Sequence, residues 1–500
     1  MTRPSRTFST RDTVAPDALA AALQPTFGVR PGPVRTVAKT WLDTFDWRLH
    51  DAGISLEYTD DGPLTMHLPD GSRRQCPLPA RHWPVLLADL PAGPLRDALA
   101  PVVTPRALVP VVTVHCTVRE SRVLNADGKT VARLVVESDD DGATRLLVQP
   151  LRGYAGEADQ ISRRLADFDG LTPVATTPYD HALAHAGRKP GDYDKNPTVP
   201  LRPDTPAPVA VASVLRHFAA GIDANIEGTI ADIDTEFLHD LRVAVRRTRS
   251  ILKLTGDVLP GDLAARYEPE FTWLGDLTTR LRDLDVFLLK VGDMASALTS
   301  AAPVDLDPFR SFLVRRRAAE RRRLVRGLRS RRFDKLMQAW RSELAEVTAG
   351  AGGGQPIVAV ADQRLRRAFR RVGKRGTRIT ADSPGEEVHA LRKRCKELRY
   401  LLEVFRPLCA ETAHRRLVKE LKALQDTLGE FQDGEVQRQA VREYAAAMMA
   451  EGAAPPETVL AMGELAAQLD ARQLKARAEL AGRLRPFLAE KARVKALVRR

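Results

Sequence analysis

The sequence predicts an α+β chain of two domains, an antiparallel β domain followed by an all-α domain, and three observations point to it. Short valine-rich segments bounded by Gly, Asp and Asn crowd the first 185 residues. Beyond Val209 the composition turns to Ala, Leu, Arg and Glu at helical spacing and stays so to the end. Within that helical half a pattern of histidine and basic residues recurs at an offset of 150. Five hundred residues also exceed what one hydrophobic core usually serves.

Ala107–Val114 and Thr130–Val136 read as strands, and Asn125-Ala-Asp-Gly128 between them as a hairpin turn. Short helices are expected over Ile161–Phe168 and Trp83–Leu90. Gly187–Pro208 carries six prolines and cannot hold a long helix, so residues 1–185 read as one domain and 186–208 as a linker. The helical domain then covers 209–500. Ala349–Pro356, with three consecutive glycines, divides it into repeats of about 209–348 and 357–500.

Composition excludes several classes. With 44% apolar and 28% charged residues the chain is neither disordered nor collagen-like. Cys76, Cys116, Cys395 and Cys409 lie far apart without C-x-x-C spacing, which argues against a disulfide scaffold or a zinc knuckle and suits a reducing compartment. Met1–Thr13 is polar with no secretory signal, and no run approaches the roughly 18 apolar residues of a membrane span. The expected place is the cytoplasm, with no membrane partner. Net charge is +13, but residues 1–200 carry −1 and the remainder +14. Such a basic half suits a polyanion. Solvated arginine-rich helix faces give the same imbalance, so charge alone does not choose the anion.

The repeat carries more information. His239-Asp-Leu-Arg242-Val-Ala-Val-Arg246-Arg-Thr-Arg249 shares a histidine and three basic residues at the same internal spacing with His389-Ala-Leu-Arg392-Lys-Arg-Cys-Lys396-Glu-Leu-Arg399, and Asp276, Asp283 and Val286 fall on Asp426, Asp433 and Val436. A duplicated helical unit with pseudo-two-fold symmetry is expected. At about 100° per residue, positions i, i+3, i+7 and i+10 share an arc of roughly 80°. His239, Arg242, Arg246 and Arg249 therefore form one stripe, and His389, Arg392, Lys396 and Arg399 its partner. The adjoining arcs are apolar, with Leu238, Leu241, Val245 and Leu252 in the first helix and Val388, Leu391, Cys395 and Leu402 in the second, so each faces a core. Cations stacked on one helix repel by a few tenths of a kcal/mol, roughly, per close pair, and an arrangement kept twice calls for a neutralising anion.

Neither histidine has a second ligand at metal spacing, and no nucleophile–base pair stands out, so no metal, cofactor or catalytic residue is assigned. Asp276, Asp283, Asp285, Asp426 and Asp433 are expected to orient arginines or cap helices. Arg310–Arg332 holds eleven arginines against one acid, Glu320, and Arg364–Lys374 is similarly basic. Most of these arginines should be solvated, some extending a basic surface around the stripes. Arg247, Lys253, Lys393, Lys419 and Lys422 are additional candidates for anion contact.

Residues from about 205 to 500 closely resemble the CHAD family, the conserved histidine α-helical domain. The resemblance rests on His239-x-x-Arg-x-x-x-Arg-Arg-x-Arg249, Arg282-Asp-Leu-Asp-Val286, His389-x-x-Arg392 with Lys396-x-x-Arg-Tyr400, and Leu424-Gln-Asp-x-Leu-Gly429 ending at Asp433. It implies two pseudo-symmetric four-helix bundles with a basic surface that binds inorganic polyphosphate, and an association with polyphosphate granules. The two histidines and six basic residues of the stripes are the implied phosphate contacts.

Residues 1–185 look similar to the CYTH domain, an antiparallel triphosphate-tunnel barrel that precedes many CHAD domains. Asp43-Thr-Phe-Asp46 with Gly53-Ile-Ser-Leu56, Cys76-Pro-Leu-Pro, Asp89-Leu-Pro-Ala-Gly93 and Arg119 fit its landmarks. The defining E-x-E-x-K is missing, with Thr7-Phe-Ser9-Thr-Arg11 in its place; the later E-x-E strand reads Leu147-Val-Gln-Pro-Leu151, and the basic pair reads Glu57-Tyr58. Divalent metal needs oxygen ligands, and without those carboxylates the tunnel is not expected to hold an ion in the family's way, while Glu137 and Asp139–Asp141 nearby leave a weak site open. A degenerate barrel without activity is expected. The leading reading is a polyphosphate-binding protein. The alternatives are a metal-dependent triphosphatase in the barrel and a nucleic-acid-binding helical protein. With aromatic residues at 5% and no stacking platform among the stripes, nucleic acid is not the expected partner. Oligomeric state stays open.

Overall fold

The computed structural model describes residues 6–10, 16–60, 62–78, 83–139, 144–174, 176–195, 198–347, 355–380, 382–490 and 497–498. Arg11, Pro79, Asp140, Asp141, Asn196, Pro197 and the glycine break at 349–354 lie outside the described residues, as does most of Met1–Thr13. The chain divides into two compact units, residues 1–194 and 195–500. The division falls inside the proline-rich segment, whose two halves each pack on their own unit. Asp192 Oδ1 accepts from Trp47 Nε1 at 2.7 Å and the Tyr193 ring lies tilted against Phe45, while Val199 and Leu201 enter the helical core.

Residues 1–194 form one curled antiparallel sheet, a half-barrel. Its strands are β1 (Thr7–Thr10), β2 (Gly28–Arg30), β3 (Val34–Asp43), β4 (Ser55–Thr59), β5 (Leu64–His67), β6 (Arg73–Cys76), β7 (Val85–Leu86), β8 (Ala107–Leu124), β9 (Thr130–Asp139), β10 (Thr144–Pro150) and β11 (Thr172–Pro173). Their order is β11-β1-β10-β9-β8-β3-β4-β5-β6, with β2 and β7 on β8. Curling brings β6 close enough to β10 for Arg73 Nη1 to donate to Gln149 Oε1 at 3.3 Å. Helices α1 (Pro16–Leu23), α2 (Arg48–Asp51), α3 (Pro94–Val103), α4 (Ala155–Ala166) and α5 (Pro178–His185) cover it. The expected turn at Asn125–Gly128 is present: Asn125 Oδ1 accepts from the backbone of Asp127 and Lys129, and Gly128 takes φ +71°. The helix expected over Trp83–Leu90 is not there. Val85 and Leu86 pair with Leu108 and Ala107 of β8, and only a 3₁₀ turn follows, because the edge of β8 supplies better partners than a two-turn helix.

The helical unit contains α6 (Ala207–Ala231), α7 (Thr235–Thr255), α8 (Leu263–Ser296), α9 (Asp307–Leu328), α10 (Arg331–Glu346), α11 (Ile357–Gly376), α12 (Gly385–Val404), α13 (Glu411–Ala450) and α14 (Pro456–Ala489). The repeat is written in these boundaries: α6 and α11, α7 and α12, and the 3₁₀ turns at Gly256 and Arg406 each begin 150 residues apart. Each repeat is a four-helix unit, the fourth helix being continuous in α14 and broken between α9 and α10, where Ser330 Oγ caps Phe333 N. The two repeats join at equivalent points. Ala207 N donates to Gln355 O at 3.0 Å and Ile357 N to Thr205 O at 2.8 Å, as a two-fold axis requires. All eight apolar residues of the two arcs are buried, and they belong to one core that crosses both repeats. A second, smaller core is built from the far halves of α8, α9, α13 and α14.

Candidate functional site

In α7, Asp234 Oδ1 caps the N-terminus by accepting from Glu236 N at 2.8 Å and Phe237 N at 3.2 Å. The buried arc then fixes the helix rotation, and the cationic stripe is carried beside the seam. In α12, whose N-cap is Pro384 without a side-chain cap, the buried arc sets the second stripe in the same way. Between α7, α12 and α13 opens a cleft of about 620 Å³.

The cleft draws on both repeats. His239, Arg246 and Arg247 come from the first, and Arg392, Lys396 and Arg399 from the second, with Lys195 at the start of the unit. Arg246 lies over the Tyr400 ring at 5.7 Å, tying the first stripe to α12. Three stripe residues do not line it. Arg242 turns to α8, donating to Thr279 Oγ1 at 2.5 Å and to Gly275 O at 3.4 Å. Arg249 lies against Gly275, where a Cβ would come 2.8 Å from its Nη1. His389 Nδ1 bonds the Gln432 amide oxygen at 2.6 Å, which puts the proton on Nδ1. Of the further candidates, Arg247 lines this cleft and Lys253 lines another, while Lys393, Lys419 and Lys422 are exposed and line neither.

Carboxylates share the walls: Glu236, Asp240, Glu403, Asp426, Glu430 and Asp433. Glu403 holds Arg399 Nε at 2.7 Å and Arg247 Nη2 at 3.2 Å, a bridging role that only its i+4 spacing from Arg399 hinted at in the sequence. Asp433 meets Arg392 at a loose 3.4 Å. Asp285 serves elsewhere, buried beneath Arg317, which also grips Asp232. Among the described residues Arg246 and Lys396 have no ion-pair partner within 4 Å. Burial, then Arg392 and Arg246, push Lys396 down to about 8 against the pull of Asp433, and burial lowers Arg242 too. Positive potential prevails around Lys396 despite the acidic walls.

In the β unit, Lys39 of β3 pairs with Glu137 of β9 and, at 3.6 Å, with Glu57 of β4. Burial opposes its charge, but the two carboxylates outweigh it and push Lys39 up to about 12. Glu137, the nearest surviving carboxylate, is thus already occupied by an ammonium. Between this face and α5 the cavity is only about 50 Å³. No group of three His, Cys, Asp or Glu arranged for a metal exists among the described residues. The Asp43-Thr-Phe-Asp46 landmark builds a turn: Asp43 accepts from the backbone of Thr44, Leu49 and His50, and Asp46 pairs with Arg48.

Comparison with known proteins bears on the family and fold of the helical unit. Residues 213–442 match the family model of the CHAD domain. The CHAD domain crystal structure from the plant Ricinus communis superposes with a TM-score of 0.50 at 27% identity, over 58% of this chain and 95% of that one. Uncharacterized proteins Rv2226 and MT2285 of two Mycobacterium tuberculosis strains are each 26% identical over 312 residues, 59% of this chain and 55% of theirs. The chain thus spans about half the length of the curated relatives it matches. No helix among the described residues is long and apolar enough to cross a membrane. By family match and by fold, residues 213–442 of the helical unit are a CHAD domain, preceded in sequence by a half-barrel consistent with a CYTH-like tunnel.

Proposed function

We propose that the CHAD domain binds inorganic polyphosphate in the cleft between α7, α12 and α13. The observation that carries this reading is the meeting of Arg246 and Lys396, equivalent positions of the two repeats, unpaired in one cleft with Arg247, Arg392 and Arg399 around them. Guanidinium groups grip phosphate oxygens as bidentate forks and the ammonium acts as a point charge. No covalent step is needed. The weak exposed pair Arg392–Asp433 exchanges its carboxylate for phosphate at little cost, since such pairs contribute about 0–1 kcal/mol.

Binding of this kind releases counterions, with a slope near −0.7 per phosphate neutralised, roughly, by analogy with single-stranded nucleic acid. In a cell with polyphosphate granules it would recruit the chain to them. The test is competition: long-chain polyphosphate should displace labelled polyphosphate from the chain far better than RNA of equal charge. Better retention of RNA would overturn the reading. Arg392→Ala with Arg399→Ala, both on the cleft wall, should weaken polyphosphate binding at least tenfold and leave the helical circular dichroism unchanged.

A further inference from the structure

A second cleft of about 620 Å³ opens on the helical unit, lined by Lys253 of α7, Arg371, Lys374 and Arg375 of α11, Arg378 just beyond it, and Arg394 of α12. Six cations converge there against a single lining carboxylate, Glu387. The charge is less compensated than in the first cleft. Lys253 and Arg394 share Glu397, at 3.6 and 2.7 Å. Among the described residues Arg371, Lys374, Arg375 and Arg378 have no ion-pair partner within 4 Å.

Lys374 and Arg375 stand in the last turn of α11, where cations complement the carbonyl end of the helix dipole. With Lys253 and Arg394 held by Glu397, Arg371 and Arg378 are left with neither a carboxylate nor a helix end to serve. The internal repeat sharpens the contrast. The positions equivalent to Arg371, Lys374, Arg375, Arg378 and Arg394 are Gly221, Ala224, Asn225, Gly228 and Ala244. In the first repeat those small residues let α6 and α7 close together. A Cβ on Gly221 would sit 3.7 Å from Ala244 Cβ, and one on Gly228 would fall inside the envelope of the Phe237 ring, whose equivalent is Glu387. Where one repeat is close-packed and neutral, the other is open and cationic. Repulsion among these cations is a standing cost unless an anion is taken up.

The cleft also continues the first stripe, since Lys253 lies one helical turn beyond Arg249 on α7, which itself follows Arg246. We propose that this second cleft binds a further segment of inorganic polyphosphate, so that the domain engages long chains at two places and short chains at either. The inference rests on the polyphosphate reading of the first cleft.

The test uses the full chain and three proteins: wild type, Arg371→Gln/Arg375→Gln/Arg378→Gln, and Arg246→Ala/Lys396→Ala. Tripolyphosphate should fill two sites on the wild type and one on the triple variant. A chain of about 100 phosphates should bind the triple variant at least tenfold more weakly, with a salt slope smaller by about two. Equal stoichiometry and equal long-chain affinity for wild type and triple variant would overturn the second cleft. So would a preference of that cleft for RNA over polyphosphate of equal charge. Unchanged long-chain affinity in Arg246→Ala/Lys396→Ala would instead overturn the first cleft, so the two failures are distinguishable.

Discussion

Lys396 is half-buried among guanidinium groups, and its lowered pKa of about 8 has two consequences that pull apart binding and stability. Because the folded value lies below the ordinary 10.5, the unfolded chain holds more protons between pH 8 and 10.5. Stability from this group therefore rises with pH through that window and is lowest below about 8, where the charge is held at a cost. Lys396→Met should stabilise the protein at pH 7 by about 1–2 kcal/mol, allowing for partial exposure, and the gain should shrink by pH 10. Chemical denaturation at the two pH values measures it. Polyphosphate needs the protonated form, so wild-type affinity should drop as pH rises past 8. Lys396→Arg should flatten that dependence in a binding titration. A drop that persists unchanged in the arginine variant would assign it to another group.

At the level of helices, two packing devices hold the stripes in place. Gly228 lets α6 approach Phe237 of α7, and a methyl there meets a rigid ring. Gly228→Ala should cost about 1–3 kcal/mol, read as a lower thermal midpoint. Asp232, at φ +58° where α6 ends, grips Arg317 of α9 together with buried Asp285. Removing the arginine strands a buried carboxylate, so Arg317→Ala should destabilise by about 3–5 kcal/mol. Neither change touches the clefts, and polyphosphate affinity of the folded variants should stay within twofold. Much of this level was legible in the sequence. The buried arcs, the stripes and the 150-residue offset follow from periodicity alone, since side chains at helical spacing must share a face. The strand at Val85–Leu86 was not, because its reason lies in the distant edge of β8.

Across the whole molecule, the two repeats are fused by a common core and the two units stand on separate ones. Residues 195–500 should accordingly fold alone and bind polyphosphate as tightly as the full chain, a fragment titration being the check. The site was only partly legible at this scale. Both stripes were visible, yet which members meet in one cleft depends on how α7 and α12 cross: His239, Arg246, Arg392, Lys396 and Arg399 meet, while Arg242, Arg249 and His389 turn to α8 and α13. Nor could spacing reveal that Glu403 would serve arginines of both repeats, or that Lys39 would occupy Glu137 in the half-barrel. Those pairings join residues far apart in the chain. Equivalence of Arg246 and Lys396 across the repeats remains the centre of the account. The most direct measurement is titration of long-chain polyphosphate into wild type and Arg246→Ala/Lys396→Ala at two salt concentrations. The account predicts at least a hundredfold loss of affinity at low salt and a salt slope smaller by about one to two in the variant; the same affinity and slope in both proteins would contradict it.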